Sequence, residues 1–558
     1  MVFNRFRRSA AFGALLAVAF SAGSVMAQSG DAVMPNPPEF PYENPMLADQ
    51  DVLGKFLFWE EQMSHDGTMA CGTCHINEAG GSDPRSMTTI NPGPDGLFNT
   101  DDDIHGSAGV VRHDVSNVFR HGGAFGSNTQ VTGRKTPTTI NATYFNDLFW
   151  DGRAPTAFTD PQTGLVEIFE FGALESQAVG PPMSDVEMAA VGESWEALTA
   201  RLADAKPGAL MTNLPSEMLD FRADNPSYPD MFTAVYGDEE ISSKRIAFAI
   251  ANYERTLISD QTLLDDFLKG TIPDLIDSGL EPGFLLFQND ANCAACHTLP
   301  FTIDHDYHNI GVRPDDEDHG REDFTGDIAD RAKFKVPNIR NSKLRTPLFH
   351  NGGKNSVREV IEFYSIGSDF PGPNLDINIE VLDLTEQEID DLTAFVEIGM
   401  TDPRVENNLF PFTRPTLRSE LTSLNSDYGV ASVDGLGGTA DMLGHLVAFP
   451  GNANFMLGLS GANPNSGATM LLSFLPDMAG TPFVDPRTPV PVNLDLGTLI
   501  LDHNTATDAD GIATFHLPIP PNALFSGMKF YAQWFIEDAA ALATGGIYGT
   551  RGLEVEIL

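Results

Sequence analysis

"CGTCH" at residues 71–75 and "CAACH" at residues 293–297 decide how this chain is organised, because both follow the pattern C-x-x-C-H. The chain contains four cysteines, and all of them fall in these two motifs: Cys71, Cys74, Cys293 and Cys296. In this pattern each thiol adds to a vinyl group of a porphyrin, and the next residue, His75 or His297, becomes the proximal iron ligand. The sequence therefore predicts two covalently bound haem c groups, since disulfides or a zinc site would leave both histidines unexplained.

The N-terminus is typical of a secretion signal. Residues 1–27 combine a start that contains three arginines, the apolar run "AAFGALLAVAF" and the small-residue end "VMA". The alternative, a membrane anchor, needs a longer apolar run than this one. We expect residues 1–27 to be removed and the mature protein to be periplasmic without a membrane span, with an extracellular location as the alternative.

Charge narrows the choice of partners. The chain has 33 Lys and Arg against 78 Asp and Glu, a formal net charge of −45. A surface this acidic repels nucleic acid and anionic membranes, so neither is expected as a partner. The acidic surface suits a basic protein partner, or simply solubility.

The hydrophobic pattern changes near residue 415. Before it, amphipathic stretches such as "SSKRIAFAIANYERTLIS" (242–259) and "TEQEIDDLTAFVEIGM" (385–400) predict helices. After it, short apolar or alternating runs separated by turn residues predict strands. The predicted fold class is mainly α: two cytochrome c-like haem domains, followed by an all-β, sandwich-like C-terminal domain. The predicted boundaries are 28–270 for the first haem domain with its insertions, 271–415 for the second, and 416–558 for a β domain of unknown role.

Three quoted segments carry a family resemblance. "RKTPTTINATYFNDLFWDGRA" (134–154), "ESQAVGPPMSDVEMA" (175–189) and "DHGREDFTGDIADRAKFKVPNIRNSKLRTPLFHNGG" (318–353) resemble bacterial di-haem cytochrome c peroxidases and the related MauG group. The resemblance covers roughly residues 40–405 in family order and leaves out the β domain. It implies that hydrogen peroxide reacts at the first haem and that the second haem passes electrons to it.

The resemblance also implies three residues for the reaction. Gln177 and Glu187 match the pair that lines the peroxide pocket, where the glutamate shuttles a proton and the glutamine orients the peroxide. Trp150 matches a tryptophan between the two haems that relays electrons. The alternatives are a helix-capping box of Ser184 with Glu187 and a packed core aromatic for Trp150.

At the first haem, the resemblance implies that a loop histidine plugs the open side of the iron in resting peroxidases but not in MauG. His121, in "FRHGG", best matches the plugging ligand, and His105 and His113 compete with it. An ordinary loop histidine is the alternative for each of them.

At the second haem, the family has Met or Tyr shortly before "F-K-V-P", and the matching position here is Ala332, which cannot bind iron. Lys333, the more distant Met400, or a five-coordinate iron are the alternatives. This departure puts the second haem's potential in doubt.

A calcium site between the haem domains is implied by the family, but Lys135 replaces one of its ligands. An insertion offers hard oxygen ligands instead: Asp95, Asn99, Asp101 and Asp103. A bound Ca2+ in this loop is therefore one prediction, and a solvated acidic loop is the alternative.

Three functions are compatible with these features. The first is a peroxidase that reduces hydrogen peroxide to water with electrons from a small cytochrome c or cupredoxin. The second is a MauG-like oxidase that uses peroxide to oxidise a partner protein or an organic substrate. The third is a non-enzymatic di-haem electron carrier. A homodimer is a further expectation for any of them.

Overall fold

The computed structural model describes residues 40–421, 425–443, 446–482, 490–538, 540 and 546–558. The predicted signal peptide, residues 1–27, lies outside these ranges. Within them, every helix is too short or too polar to cross a bilayer.

The haem-motif region consists of short helices joined by long loops. One helix spans Ser243–Glu254 and begins where the Ser242 side chain accepts a hydrogen bond from the Arg245 N–H. It packs tightly on the helix Gln50–Phe58, where a Cβ on Gly54 would lie 1.9 Å from the Ala249 carbonyl oxygen. The α-helices of the described ranges are α1 Gln50–Phe58, α2 Cys71–Cys74, α3 Ala173–Ala178, α4 Trp195–Asp204, α5 Ser216–Asp224, α6 Tyr228–Tyr236, α7 Ser243–Glu254, α8 Leu263–Leu268, α9 Glu281–Gln288, α10 Glu322–Thr325, α11 Val357–Ser365, α12 Glu386–Ala394 and α13 Pro403–Glu406.

Short two-stranded pairs interrupt the loops of this region. Their strands are β1 Ala108–Val111, β2 His113–Asp114, β3 Val118–Phe119, β4 Thr129–Val131, β5 Phe158–Thr159, β6 Val166–Ile168, β7 Tyr307–His308 and β8 Phe334–Lys335. They pair as β1 with β4, β2 with β3, β5 with β6 and β7 with β8. Helices account for 28% of the residues and strands for 18%, so the description "mainly α" is not confirmed.

The two haem-motif halves contain a structural repeat with an offset of 200 residues. Phe149 and Phe349 both adopt positive φ angles, 64° and 70°, and each opens a turn closed by an isolated bridge. Asn141 and Asn341 share a left-handed conformation with φ of 61°. The equivalent pairs include Pro137 and Pro337, Leu148 and Leu348, and Gly152 and Gly352. Equivalent turns, which begin at Phe149 and Phe349, therefore line the cavity that both haem motifs share.

The C-terminal region is β-rich, as predicted. Its strands are β9 Ser426–Tyr428, β10 Asp441–Leu443, β11 Met456–Ser460, β12 Gly467–Ser473, β13 Pro476–Pro482, β14 Pro491–Leu494, β15 Leu499–Ala506, β16 Ala513–His516, β17 Lys529–Glu537, β18 Ile547–Gly549 and β19 Gly552–Glu556. One sheet has the order β15-β12-β17-β19-β9, with β18 also on β17, and another has the order β10-β11-β16. Side chains of both sheets, such as Leu457 and Trp534, share one core, which is the packing of a sandwich.

The β domain is fastened to the first haem domain. Phe119, at the end of the β2–β3 hairpin, is 2% exposed and belongs to the β-domain core. In the other direction, Phe412 and Leu417 belong to the core of the first haem domain. Glu61 of that domain accepts hydrogen bonds from the Arg418 and Ser419 N–H groups, at 2.8 and 2.9 Å. The chain therefore returns from the second haem motif to the first haem domain before it enters the β domain.

Candidate di-haem site

A cavity of about 880 Å³ is lined by both C-x-x-C-H motifs. None of the four cysteines pairs with another described residue in a disulfide. Cysteine thiols and histidines of both motifs face the same space: Cys71, Cys74, His75, Cys293, Cys296 and His297. The donor set and the size of this cavity fit two covalently attached haem groups.

Both predicted proximal histidines are oriented by a hydrogen bond from Nδ1 to a backbone carbonyl oxygen. His75 Nδ1 donates to the Gly81 carbonyl oxygen at 3.1 Å, and His297 Nδ1 donates to that of Thr302 at 2.9 Å. These bonds fix the tautomer and leave each Nε2 as the metal-binding nitrogen. Burial lowers the pKa of His75 to about 4 and also lowers the pKa of His297. Both rings are therefore neutral, the form that ligates a metal.

Gln177 and Glu187 both line this cavity, and the Glu187 charge acts on the Cys71 and Cys74 thiols. The part of the cavity around these thiols is called the first-haem pocket here. Burial raises the pKa of Glu187, while a hydrogen bond from Ser184 and the Arg153 charge act in the opposite direction. Arg153 itself lies over the Phe149 ring, with Cζ 3.8 Å from the centroid. A carboxyl group in this setting holds a proton more readily than an exposed one, which suits a proton-transfer group.

The capping-box alternative for Glu187 is wrong. The Glu187 N–H does bond the Ser184 carbonyl at 3.1 Å, but the residues that follow Ser184 form turns and no helix begins there. Glu187 is instead presented to the cavity by a segment that runs beside β1, where the Val110 N–H donates to the Val186 carbonyl at 3.2 Å.

A second carboxyl group in the first-haem pocket was missed at the sequence level. Glu254, at the end of α7, lines the cavity and is 3% exposed, and no described residue bonds its Oε2. Burial raises its pKa to about 8, against a smaller lowering by Arg255, so it holds a proton at neutral pH. A glutamate within the apolar face of the predicted helix "FAIANYERTL" was the signal that could have identified it.

Trp150 lies where the two halves meet. Its Nε1 donates to the Lys135 carbonyl at 2.7 Å, and its ring meets that of His350 edge to face at 6.2 Å. His350, the repeat equivalent of Trp150, stacks on Phe334 at 3.7 Å. The backbone pairs reciprocally: the Lys135 N–H donates to His350 and the Lys335 N–H donates to Trp150, at 2.7 and 2.8 Å. Three aromatic rings thus line the cavity between the two motifs.

Ala332, which matches the family's ligand position but cannot bind iron, lies away from the cavity. It is 5% exposed. Lys333 pairs with Asp330 at 3.7 Å, and Met400 is fully buried in the core of the second haem domain. Neither of these alternatives lines the cavity.

Tyr364 lines the cavity instead, on α11. Burial raises the pKa of its phenol, and the charges of Cys293 and Cys296 add to that effect, so Tyr364 lies beside the second haem's attachment site. Phenolic oxygen is a known haem ligand. The position was missed because the helix pattern "VREVIEFYS" explains Tyr364 as a packing residue.

The three loop histidines do not reach the cavity. His121 is exposed, the His105 Nδ1 donates to the Ser86 carbonyl at 3.0 Å, and the His113 Nδ1 donates to that of Val111 at 2.7 Å. None of the three is among the residues that line the cavity in the described part of the chain.

The acidic insertion uses its side chains to close its own turns. Asp95 accepts from the Leu97 N–H at 2.7 Å, and Asp103 accepts from the Asn99 N–H at 2.8 Å. Among the described residues, the group that comes close enough to hold a metal ion is Cys296, Asp304 and His308, which includes a haem cysteine. The calcium site therefore stays a prediction.

Comparison with known proteins agrees with this geometry. Residues 48–272 match the family model described as di-haem cytochrome c peroxidase. Cytochrome-c peroxidase IdrP1 of Pseudomonas sp. (strain SCT) is 26% identical over 446 residues, covering 74% of this chain and 95% of that protein. Cytochrome c551 peroxidase of Nitrosomonas europaea is 28% identical over 351 residues, covering 62% and 81%. Methylamine utilization protein MauG of Methylophilus methylotrophus is 27% identical over 359 residues, covering 64% and 84%. Residues 48–272 thus resemble the di-haem cytochrome c peroxidase family, and the haem-bearing part of this chain is similar to both cytochrome c peroxidases and MauG proteins.

Proposed function

We propose that this protein is a di-haem peroxidase that reduces hydrogen peroxide to water: H2O2 + 2 e− + 2 H+ → 2 H2O. The haem irons, when bound, supply the electron transfer and the reduction of the O–O bond. The observation that supports this assignment most strongly is that Glu187 and Gln177 face the same cavity as the first C-x-x-C-H motif.

Glu187 is the proton-transfer group. Its carboxylate accepts a proton from one peroxide oxygen and returns it to the departing oxygen, which leaves as water. Burial raises the pKa of Glu187 above its ordinary value, so the group holds a proton more readily than an exposed glutamate does. Gln177 orients the peroxide through its side-chain amide.

Trp150 connects the two haem-binding halves. Its ring meets His350 edge to face, and His350 stacks on Phe334, so aromatic side chains fill the space that an electron has to cross. We propose that electrons enter at the second haem from a small cytochrome c or cupredoxin and pass through this contact to the first.

The test of the peroxidase is the substitution Glu187→Gln. It removes the proton acceptor but keeps the size of the side chain, so we expect peroxide turnover to fall by about 10² to 10⁴. A pyridine haemochrome assay should still find two haems per chain. Glu196→Gln, the same change at an exposed site on α4, should leave turnover unchanged. Full activity in Glu187→Gln would show that the proton shuttle lies elsewhere.

A MauG-like oxidase is the second candidate, and two observations favour it. Tyr364 rather than methionine lines the cavity beside the second haem's cysteines. In the described residues, His105, His113 and His121 all lie outside the cavity lining, so none of them is placed to plug the first haem. A high-spin ferric signal in the resting protein supports this candidate. A high-spin signal that appears only after half-reduction supports a peroxidase whose first haem is plugged at rest. Two low-spin haems without peroxide turnover would instead indicate an electron carrier.

The remaining assignments are proposals from the sequence. The signal-peptide pattern of residues 1–27 supports export to the periplasm. Calcium binding by the acidic insertion and a homodimer are also proposed from the sequence. For the insertion, the hydrogen bonds among its own residues favour the alternative, a solvated loop without calcium.

A further inference from the structure

Two buried cations face the cavity without a carboxylate partner. Lys135 is 4% exposed; its Nζ donates to the Ser82 hydroxyl and, at 3.4 Å, to the Thr136 carbonyl. Arg345 is 8% exposed; one of its terminal nitrogens donates to the Asn338 carbonyl at 2.6 Å and to a hydroxyl at 2.9 Å. Among the described residues, the Arg345 Nε has no hydrogen-bond partner. Within the described part of the chain, neither side chain forms an ion pair.

The two cations meet at the loop that orients His75. Lys135 reaches Ser82 at the end of this loop. Arg345 comes from the other haem domain and packs over Gly80, where a Cβ would lie 2.4 Å from its Cγ. Asp83, the carboxylate whose charge acts on Lys135, is already held by Arg85 at 2.8 Å. Burial and the Arg345 charge lower the pKa of Lys135 to about 7.

Two like charges that share a dry site are costly unless an anion joins them. Both line the same cavity as the first haem motif, and the haem carries its own carboxylates, the two propionates. We propose that Lys135 and Arg345 together bind a propionate of the first haem, so that a residue from each haem domain positions the same cofactor. The inference rests on haem attachment in the proposed function, and not on peroxide turnover.

The structural repeat makes the two haem sites unequal. Lys335 is the equivalent of Lys135, and its Nζ lies 3.4 Å from the centroid of the Phe145 ring. Phe145 occupies the position that Arg345 has at the first site. The first site of the repeat therefore has a lysine and an arginine where the second has a lysine and a phenylalanine, and the Arg345 charge also acts on His297. A cation pair beside a haem stabilises the reduced state, which carries one positive charge less at iron.

The test is a redox titration of the resting protein without peroxide. In Lys135→Met and Arg345→Met, we expect the first haem, identified as the one whose spectrum changes with cyanide, to become harder to reduce. The expected change is at least tenfold in the equilibrium constant for reduction, which is about 59 mV for a one-electron couple. Lys244→Met, the same change on the surface of α7, should leave the potential unchanged. An unchanged potential in both cavity variants overturns the inference.

Two further measurements separate this role from general damage. Lys135→Arg keeps the charge and should restore the potential, and the propionate-bending band in resonance Raman spectra should move in Lys135→Met but not in Lys135→Arg. If Lys135→Met fails to fold, the pair Arg345→Lys and Arg345→Gln gives the same comparison. A free anion could also neutralise the cations, so the titration is repeated with chloride and with phosphate at constant ionic strength. A potential that depends on the anion contradicts propionate binding, and one that does not supports it.

Discussion

At the scale of single residues, the main correction concerns the second haem. The family pattern leads to Ala332, a residue that cannot bind iron, whereas the fold brings Tyr364 of α11 to the cavity beside Cys293 and Cys296. Tyr364 follows His350 by 14 positions along the chain, through a turn and the first two turns of α11. Tyr364 already lines the cavity, whereas Lys333 would reach the family's ligand position only if the chain shifted by one residue.

This assignment predicts the behaviour of Tyr364→Phe. Removing the phenolic oxygen while keeping the ring should convert the second haem from a low-spin to a high-spin ferric signal in electron paramagnetic resonance. Tyr144→Phe is the matched control, because Tyr144 packs against Phe301 with ring centroids 4.6 Å apart and does not line the cavity. A wild-type spectrum in Tyr364→Phe would mean that the ligand is another residue.

At the scale of elements, the β2–β3 hairpin joins two parts of the molecule. Phe119 enters the β-domain core, and a Cβ on Gly458 of β11 would lie 2.6 Å from its ring, so the glycine makes room for it. The Phe119 N–H donates to the Thr514 hydroxyl at 3.0 Å. On the other side, the His113 carbonyl accepts from the Val191 N–H at 2.8 Å, in the segment that follows Glu187. The hairpin thus links the β domain to the wall of the first-haem pocket.

Phe119→Ala should therefore loosen the β domain. Truncating a fully buried phenylalanine costs about 3–5 kcal/mol, because apolar contact is lost and a cavity remains. Urea unfolding followed by Trp fluorescence measures the effect, since Trp534 lies in the same core. Phe525→Ala, at the partly buried edge of that core, should cost clearly less. Equal losses in the two variants would show that Phe119 is not the anchor.

At the scale of the whole molecule, the charge decides which partners can approach. A net charge of −45 gives a strongly negative field, which attracts a basic electron donor and repels an acidic one.

The rate of reduction by a basic cytochrome c should fall as ionic strength rises, because salt screens exposed charges beyond about 10 Å at 0.1 M. Stopped-flow measurements across a salt series test this. The reaction of the reduced protein with hydrogen peroxide, which is neutral, serves as the control and should hardly change. A donor reaction that is equally insensitive to salt would exclude electrostatic attraction as the basis of donor choice.

Some features of this protein could be predicted from its sequence because they depend on short stretches of chain. The two C-x-x-C-H motifs bring all the atoms for haem attachment within five residues, and His75 and His297 face the cavity as expected. The capping box of Thr385 with Glu388 begins α12 for the same local reason. The change from helices to strands near residue 415 follows from the period of the apolar residues.

Other features were decided only by the tertiary structure, because they join residues that are far apart in the chain. Glu254 becomes a carboxyl group of the first-haem pocket only when α7 packs against α1. Lys135 and Arg345 lie 210 positions apart and meet because the two halves of the repeat face each other. The periodicity of apolar residues predicts which side chains face inward. It does not distinguish side chains that pack in a core from side chains that line a cofactor cavity, because both face inward. The physical difference is the space that the packed halves leave between them, and this space has no signature in any single stretch of the sequence.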